Sequence, residues 1–143
     1  MSVTQVSVFI ENREGRLAEV SRLLSGKGIN IRSLSLADSS DFGVLRLIVD
    51  NPEQCIQVLQ ENGFVARATP VLALEIEDRP GGLDRVLSLF SSNGINVEYM
   101  YAFVEKSHDN AIVIFKTGDN GRALDLASRE GIPVIRGEAL FSR

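Results

Sequence analysis

The sequence predicts an α+β fold made of two βαββαβ units in tandem, residues 1–70 and 71–143. Three observations predict it. Shifting the chain by 66 residues lays Ile10–Ile31 over Ile76–Val97 with eleven of 22 positions identical, which marks an internal duplication. Within each copy the apolar pattern passes from strand alternation to helical spacing and back, twice. A glycine follows each of the four long helical stretches, at Gly28, Gly63, Gly94 and Gly131.

Element by element, the copies read alike. QVSVFI (5–10) and VLALEIE (71–77) are apolar, β-branched and alternating, as strands are. A glycine turn follows, and apolar residues then fall at helical spacing: Leu17, Val20, Leu23 and Leu24, against Leu83, Val86, Leu87 and Phe90. Gly28 and Gly94 end these helices, where a left-handed residue is unstrained only as glycine. INIRSLSLAD (29–38) and INVEYMYAFVE (95–105) are the next strands. SSDFG (39–43) and KSHDN (106–110) are polar turn formers, each expected to close a hairpin onto VLRLIVD (44–50) or AIVIFKT (111–117). Second helices, about 53–62 and 120–130, carry stripes of Cys55, Ile56 and Leu59 and of Ala123, Leu124 and Ala127. Short final strands at 64–70 and 133–137 complete the copies. Such a unit packs two helices on one face of an antiparallel sheet, the ferredoxin-like arrangement. Only ATPV joins the units, so they are expected to be closely coupled, with their sheets side by side.

Composition removes several function classes. The net charge of −4 argues against a nucleic-acid or anionic-membrane partner. The single cysteine, Cys55, excludes an internal disulfide and a CxxC metal or redox pair, and it reads as a small core residue. No basic, then apolar, N-terminal segment marks a signal peptide, and no apolar run approaches membrane-spanning length, so the cytoplasm is the expected location. His108, the one histidine, sits in the polar KSHDN turn and is expected to face solvent. No Ser-His-Asp set, G-x-x-x-x-G-K or G-x-G-x-x-G is present, and nothing singles out two of the 19 acids as a pair. No catalytic residue, metal ligand or cofactor is expected.

The repeated turn is the candidate site. ENREGRL (11–17) and EDRPGGL (77–83) each carry the chain from a strand to a helix N-terminus, where unpaired N–H groups and the helix dipole favour an anion such as a carboxylate. Gly15, Gly81 and Gly82 clear side chains from the approach, and Asn12 and Asp78 sit at equivalent positions to orient a polar ligand. Asn30 and Asn96 open the second strands and are expected near the same end of each unit. The same residues also admit a purely structural reading, because Gly, Asn and Asp serve such turns for backbone reasons alone.

N-R-x-G-x-L or D-R-P-G-G-L, an apolar helix, and then G-I-N-[IV] together resemble the ACT domain, over essentially the whole chain and in two copies. The resemblance implies a protein that binds a free amino acid or similar small carboxylate and regulates a metabolic enzyme. It implies pairing as a homodimer, because ligands of that family commonly sit between paired units. The implied contacts are Asn12, Arg13, Gly15, Arg16, Leu17, Asn30 and Ile31 in the first unit, and Asp78, Pro80, Gly81, Gly82, Leu83, Asn96 and Val97 in the second. The first turn departs from the pattern with Glu14 in place of Pro80 and Arg16 in place of Gly82. Arg16 has two readings, a bidentate partner for a carboxylate or a solvated side chain. Asp78, standing where the pattern has Asn, puts a like charge near any carboxylate. The two sites are therefore expected to differ in affinity.

Two other classes remain to be weighed. An RNA-binding module needs two or three exposed aromatics on central strands, whereas only Phe42 stands near one, just before the 44–50 strand. A protein–protein interaction module without a metabolite is the main rival. EYMYAF (98–103) would serve it if the Tyr99, Tyr101 and Phe103 face were exposed.

Overall fold

The computed structural model describes residues 3–38, 41–103 and 110–141. They form two compact units, one of Thr4–Thr69 and the other from Pro70 onward together with Val3, the first residue of β1. In the first, β1 (Val3–Glu11) leads to α1 (Arg16–Gly26), β2 (Ile31–Asp38), β3 (Phe42–Val49), α2 (Pro52–Glu61) and the start of β4 (Val65–Glu77). β3 lies antiparallel to both β1 and β2, and the strand order is β2-β3-β1-β4. Alternation decides the faces: Val6, Val8, Leu45 and Leu47 meet Val20 and Leu24 of α1 and Cys55 and Leu59 of α2. Burying a leucine such as Leu24 or Leu59 completely contributes about 1.5–3 kcal/mol, so this shared face holds both helices.

The second unit continues β4 from Pro70, followed by α3 (Gly82–Ser92), β5 (Val97–Phe103), β6 (Asn110–Thr117), α4 (Asn120–Arg129), β7 (Val134–Ile135) and α5 (Gly137–Phe141). β6 is antiparallel to β4 and β5, and β7 pairs with β4. Val86 and Phe90 of α3 and the small Ala123 and Ala127 of α4 pack on Leu72, Leu74 and Phe115. The Phe90 and Phe115 rings meet edge to face, 5.7 Å apart at 89°. Each unit is thus an antiparallel sheet with helices on one face, the ferredoxin-like arrangement.

The repeat extends to the helix ends. After α1, Gly28 turns left-handed at φ 69°, Ile29 N–H reaches the Leu24 carbonyl at 3.0 Å, and Gly28 N–H reaches that of Ser25. Gly94, Ile95, Phe90 and Ser91 repeat the geometry after α3. Asn51 and Asp119 cap α2 and α4 by accepting the N–H of Gln54 at 3.2 Å and of Arg122 at 3.1 Å.

Three expectations need correction, and one conditional reading is decided. The strands foreseen at 64–70 and 71–77 are one strand, β4, because VARATPVLALEIE contains no Gly, Asn, Asp or Ser and Pro70 tolerates extended backbone. The final strand at 133–137 shrinks to Val134–Ile135, and GEALF forms a short helix that periodicity over five residues cannot reveal. Phe42 belongs to β3 and does not precede it. In β5, Tyr99 and Tyr101 are half-buried and Phe103 is buried, so the exposed face carries Glu98, Met100 and Ala102 instead. Ser39, Ser40 and residues 104–109, including His108, lie outside the described residues, and the two hairpin closures with them.

Candidate functional site

Both turns are built by the same backbone bonds. In the second, Arg79 N–H returns to the Glu77 carbonyl at 2.9 Å and Gly82 N–H to that of Arg79 at 3.0 Å. Gly81 is left-handed at φ 91° and caps α3 without a side-chain acceptor. A side chain at Gly82 is excluded, since its Cβ would overlap the Glu77 carbonyl. In the first turn, Arg13 N–H meets the Glu11 carbonyl at 2.9 Å and Gly15 stands at φ 85°. The bond from Arg16 N–H to the Arg13 carbonyl is stretched to 3.5 Å. The bond is the longer of the two at the position where the first copy carries a side chain and the second has Gly82.

The difference decides what stands beside each helix. At the second turn a cleft of about 670 Å³ opens among Glu75, Glu77, Arg79, Pro80, Gly81, Gly82, Arg85, Asn110 and the Gly131–Pro133 segment after α4. Arg79 and Arg85 line it beside apolar Ile76, Val86 and Ile132, whereas Glu75 and Glu77 flank Ile76 on β4 and alternate to the other face of the sheet, Glu75 meeting this edge through its N–H bond to the Pro133 carbonyl at 3.0 Å. Arg79 pairs with Glu77, and Arg85 Nη2 donates to the Glu130 carbonyl at 2.7 Å. Asp84 lies in the first turn of α3 and already answers part of its dipole, so the guanidinium groups supply the remaining positive charge. A second hollow of about 430 Å³ adjoins the turn, between Asp78, Pro80 and Leu83 on one side and Ala111 and Val113 on the other.

In the first unit the Arg16 side chain lies back against the body, only 16% exposed. Its guanidinium carbon sits 4.2 Å from the centre of the buried Phe64 ring, and Nη1 bonds Glu19 Oε2 at 2.8 Å. Its Nε is buried with no hydrogen-bond partner among the described residues. The stack and ion pair together contribute about 1–3 kcal/mol. The buried unmade donor costs about 1–3 kcal/mol in return, so Arg16 is held with little net gain. The solvated reading of Arg16 gives way to a side chain packed on its own unit. Asn12, Arg13 and Leu17 are exposed, with Arg13 paired to Glu11 at 2.7 Å.

Strand direction separates the remaining candidates from the turns. Glu11 is opposite Phe42 and Asp38 opposite Gly43, which places the turn end of the sheet, while Ile31 is opposite Val49. Ile31 therefore lies seven residues of β2 away from the turn end, roughly 23 Å at about 3.3 Å per residue. Val97 lies likewise at the far end, opposite Thr117, while Phe103 is opposite Ile112 near the turn. The expectation that Asn30 and Asn96 stand near the turns of their own units is corrected: each helix returns the chain to the opposite end. Asn30 N–H bonds the Asp50 carboxylate at 3.1 Å, and the Asn96 carbonyl accepts from Gly118 N–H at 3.0 Å. Asn30 and Ile31 instead line a hollow at the end of α1 with Ser21, Ser25 and Gly28.

Arg85, Glu75, Asn110 and Gly131–Pro133 were not foreseen. Arg85 follows Gly81–Gly82 by one helical turn and was readable from that spacing, whereas nothing in the sequence announced the segment after α4. Among the described residues, no helix is long and apolar enough to cross a membrane, and no group of three His, Cys, Asp or Glu residues is placed to hold a metal ion.

Two duplicated ferredoxin-like units, each with a glycine turn leading into its first helix, define a paired small-domain protein. The chain belongs to the ACT domain pair family, whose model matches residues 1–141. It is similar to protein BT0572 from Bacteroides thetaiotaomicron, with 31% identity, coverage of 100% of this chain and 98% of that one, and a TM-score of 0.93. The ligand-free regulatory subunit of aspartate kinase from Thermus thermophilus shares the fold at 17% identity and a TM-score of 0.65, covering 88% of this chain and 91% of that one. The corresponding subunit from Thermus flavus gives 17% and 0.61, with 88% and 90% covered. No curated protein matches the chain.

Proposed function

We propose that the chain is a non-catalytic regulatory protein that binds a free amino acid, or a similar small carboxylate, in the second-unit cleft. One observation carries the reading: the cleft beside Gly81 and Gly82 brings a helix N-terminus, Arg79 and Arg85 together with apolar Ile76, Val86 and Ile132. That lining suits a carboxylate on a small organic stem. Arg85 and the start of α3 take the ligand carboxylate, Asn110 its ammonium, and Ile132 and Pro133 its side chain. Membership of the ACT domain pair family and the likeness to regulatory subunits support a regulatory role. The protein works as a homodimer in the cytoplasm, and binding shifts the arrangement of paired units that a metabolic enzyme or regulator reads, because a ligand acts only through differential affinity.

Thermal unfolding of the chain with each of the twenty amino acids at millimolar concentration tests this. One or a few should raise the midpoint, and Arg85→Ala should abolish that rise while keeping the parent's unliganded midpoint within a few degrees. No response to any of the twenty ends the amino-acid reading. Exposed Leu34 and Leu36 on β2 favour a second reading, an interaction module without a metabolite, which the same screen separates from the first.

A further inference from the structure

The duplicated units put different things in the same place. The 66-residue shift sets Arg16 against Gly82 and Glu19 against Arg85. After the second helix of each unit, a left-handed glycine is followed by an apolar residue whose N–H closes on that helix: Phe64 to the Leu59 carbonyl at 3.0 Å, and Ile132 to that of Ala127 at 2.9 Å. Phe64 is therefore the counterpart of Ile132, which lines the open cleft of the second unit. The Arg16 guanidinium lies on Phe64 and is tied to Glu19, so it stands where the second unit has its cleft.

We infer that Arg16 is a built-in occupant of the first unit's ligand position, and that of the two turn-side positions among the described residues it is the second unit's that stands open. Three observations join in this. The side chain is folded inward and not extended to solvent, although its Nε gains no partner by it. The group it pairs with, Glu19, replaces a cation of the second unit with an anion, so the first position is built to hold a guanidinium and not a carboxylate. The turn bond at Arg16 N–H is longer than its counterpart at Gly82 N–H, at the position where the side chain stands. The duplication has thus been resolved into one receiving unit and one self-filled unit. What the open cleft holds rests on the amino-acid reading above; the filling of the first does not.

Two experiments on the full chain test the occupant. In the ¹⁵N-labelled protein, the Arg16 Nε–H signal should be ring-shifted and slow to exchange, and Phe64→Leu should remove the shift. An Arg16 signal that exchanges as fast as that of exposed Arg13 overturns the inference. The Arg16→Gly variant recreates the natural Gly81–Gly82 pair, so the turn carries a sequence the fold already uses. Titrated calorimetrically with the twenty amino acids, it should take up arginine, whose guanidinium matches the vacated place between Phe64 and Glu19, as one more equivalent per chain than the parent. No added equivalent overturns the inference whatever the parent binds. A parent that binds none, beside an Arg16→Gly chain that binds one, sinks the second-unit reading and upholds the occupant.

Discussion

Arg16 and Gly82 show how one position of a duplicated turn sets the character of a whole unit. Where the turn is tight, at Gly82, a methyl group already meets the Glu77 carbonyl. Gly82→Ala should therefore lower stability by about 1–3 kcal/mol through overpacking, read as a drop in the urea midpoint. An unchanged midpoint would mean that the turn relaxes as freely as the first one. Cys55 makes a second test at this scale. Burial first, and the charge of Asp50 second, push its thiol from 9.0 up to about 12. The native chain keeps the proton over a window in which the unfolded chain loses it. This thiol's contribution is therefore complete below about pH 9 and disappears as pH climbs towards 12. Over the lower part of that window the urea midpoint of the parent should fall more steeply than that of Cys55→Ala, and native Cys55 should resist thiol reagents that label it at once in urea. The inward place of Cys55 was legible from its helical stripe. That of Arg16 was not, because it depends on Phe64, far along the chain and on another element.

Among the elements, the features that repeat are those that local chemistry dictates. Left-handed glycines and alternating strands are each decided within a few residues, and so the sequence announced them in both copies, while the equally local caps at Asn51 and Asp119 were not foreseen. Asn51→Ala and Asp119→Ala should each cost about 0.5–2 kcal/mol, with the ladder pairing elsewhere unaltered in amide exchange. Equal losses at the two caps are expected of equivalent elements; a loss at only one would show that the copies have diverged in helix stability as well as in their turns. What escaped the sequence was direction and continuity. Asn30 and Asn96 follow the helices closely in number, yet a helix that runs back along the sheet delivers the next strand to the far end. β4 was split in expectation because the duplication boundary falls inside it, although no residue there breaks an extended chain. The cleft shares this limit: its turn is local and was foreseen, while its far wall, Gly131–Pro133, comes from a segment that only the fold brings there.

At the scale of the whole molecule, the proposal turns on pairing. Within the first unit β2 is paired with β3 alone among the described strands, and its Leu34 and Leu36 are 55% and 48% exposed. Leu34 lies opposite Leu47 and Leu36 opposite Leu45, so both stand on the face that carries the helices. An edge strand with two bare leucines invites a second copy of the same strand, because pairing would extend the sheet and remove the apolar area from water together. The chain should therefore sediment as a dimer at micromolar concentration, and a Leu34→Glu, Leu36→Glu double variant should sediment as a folded monomer. If ligand binding acts through pairing, that variant should also lose coupling: the amino acid that stabilises the parent should shift its monomer–dimer equilibrium, and the monomeric variant should bind with altered affinity. A parent that sediments as a monomer with and without the amino acid would leave the cleft a binding site with no pairing to act through, and the regulatory mechanism proposed here would fall while the binding itself stood.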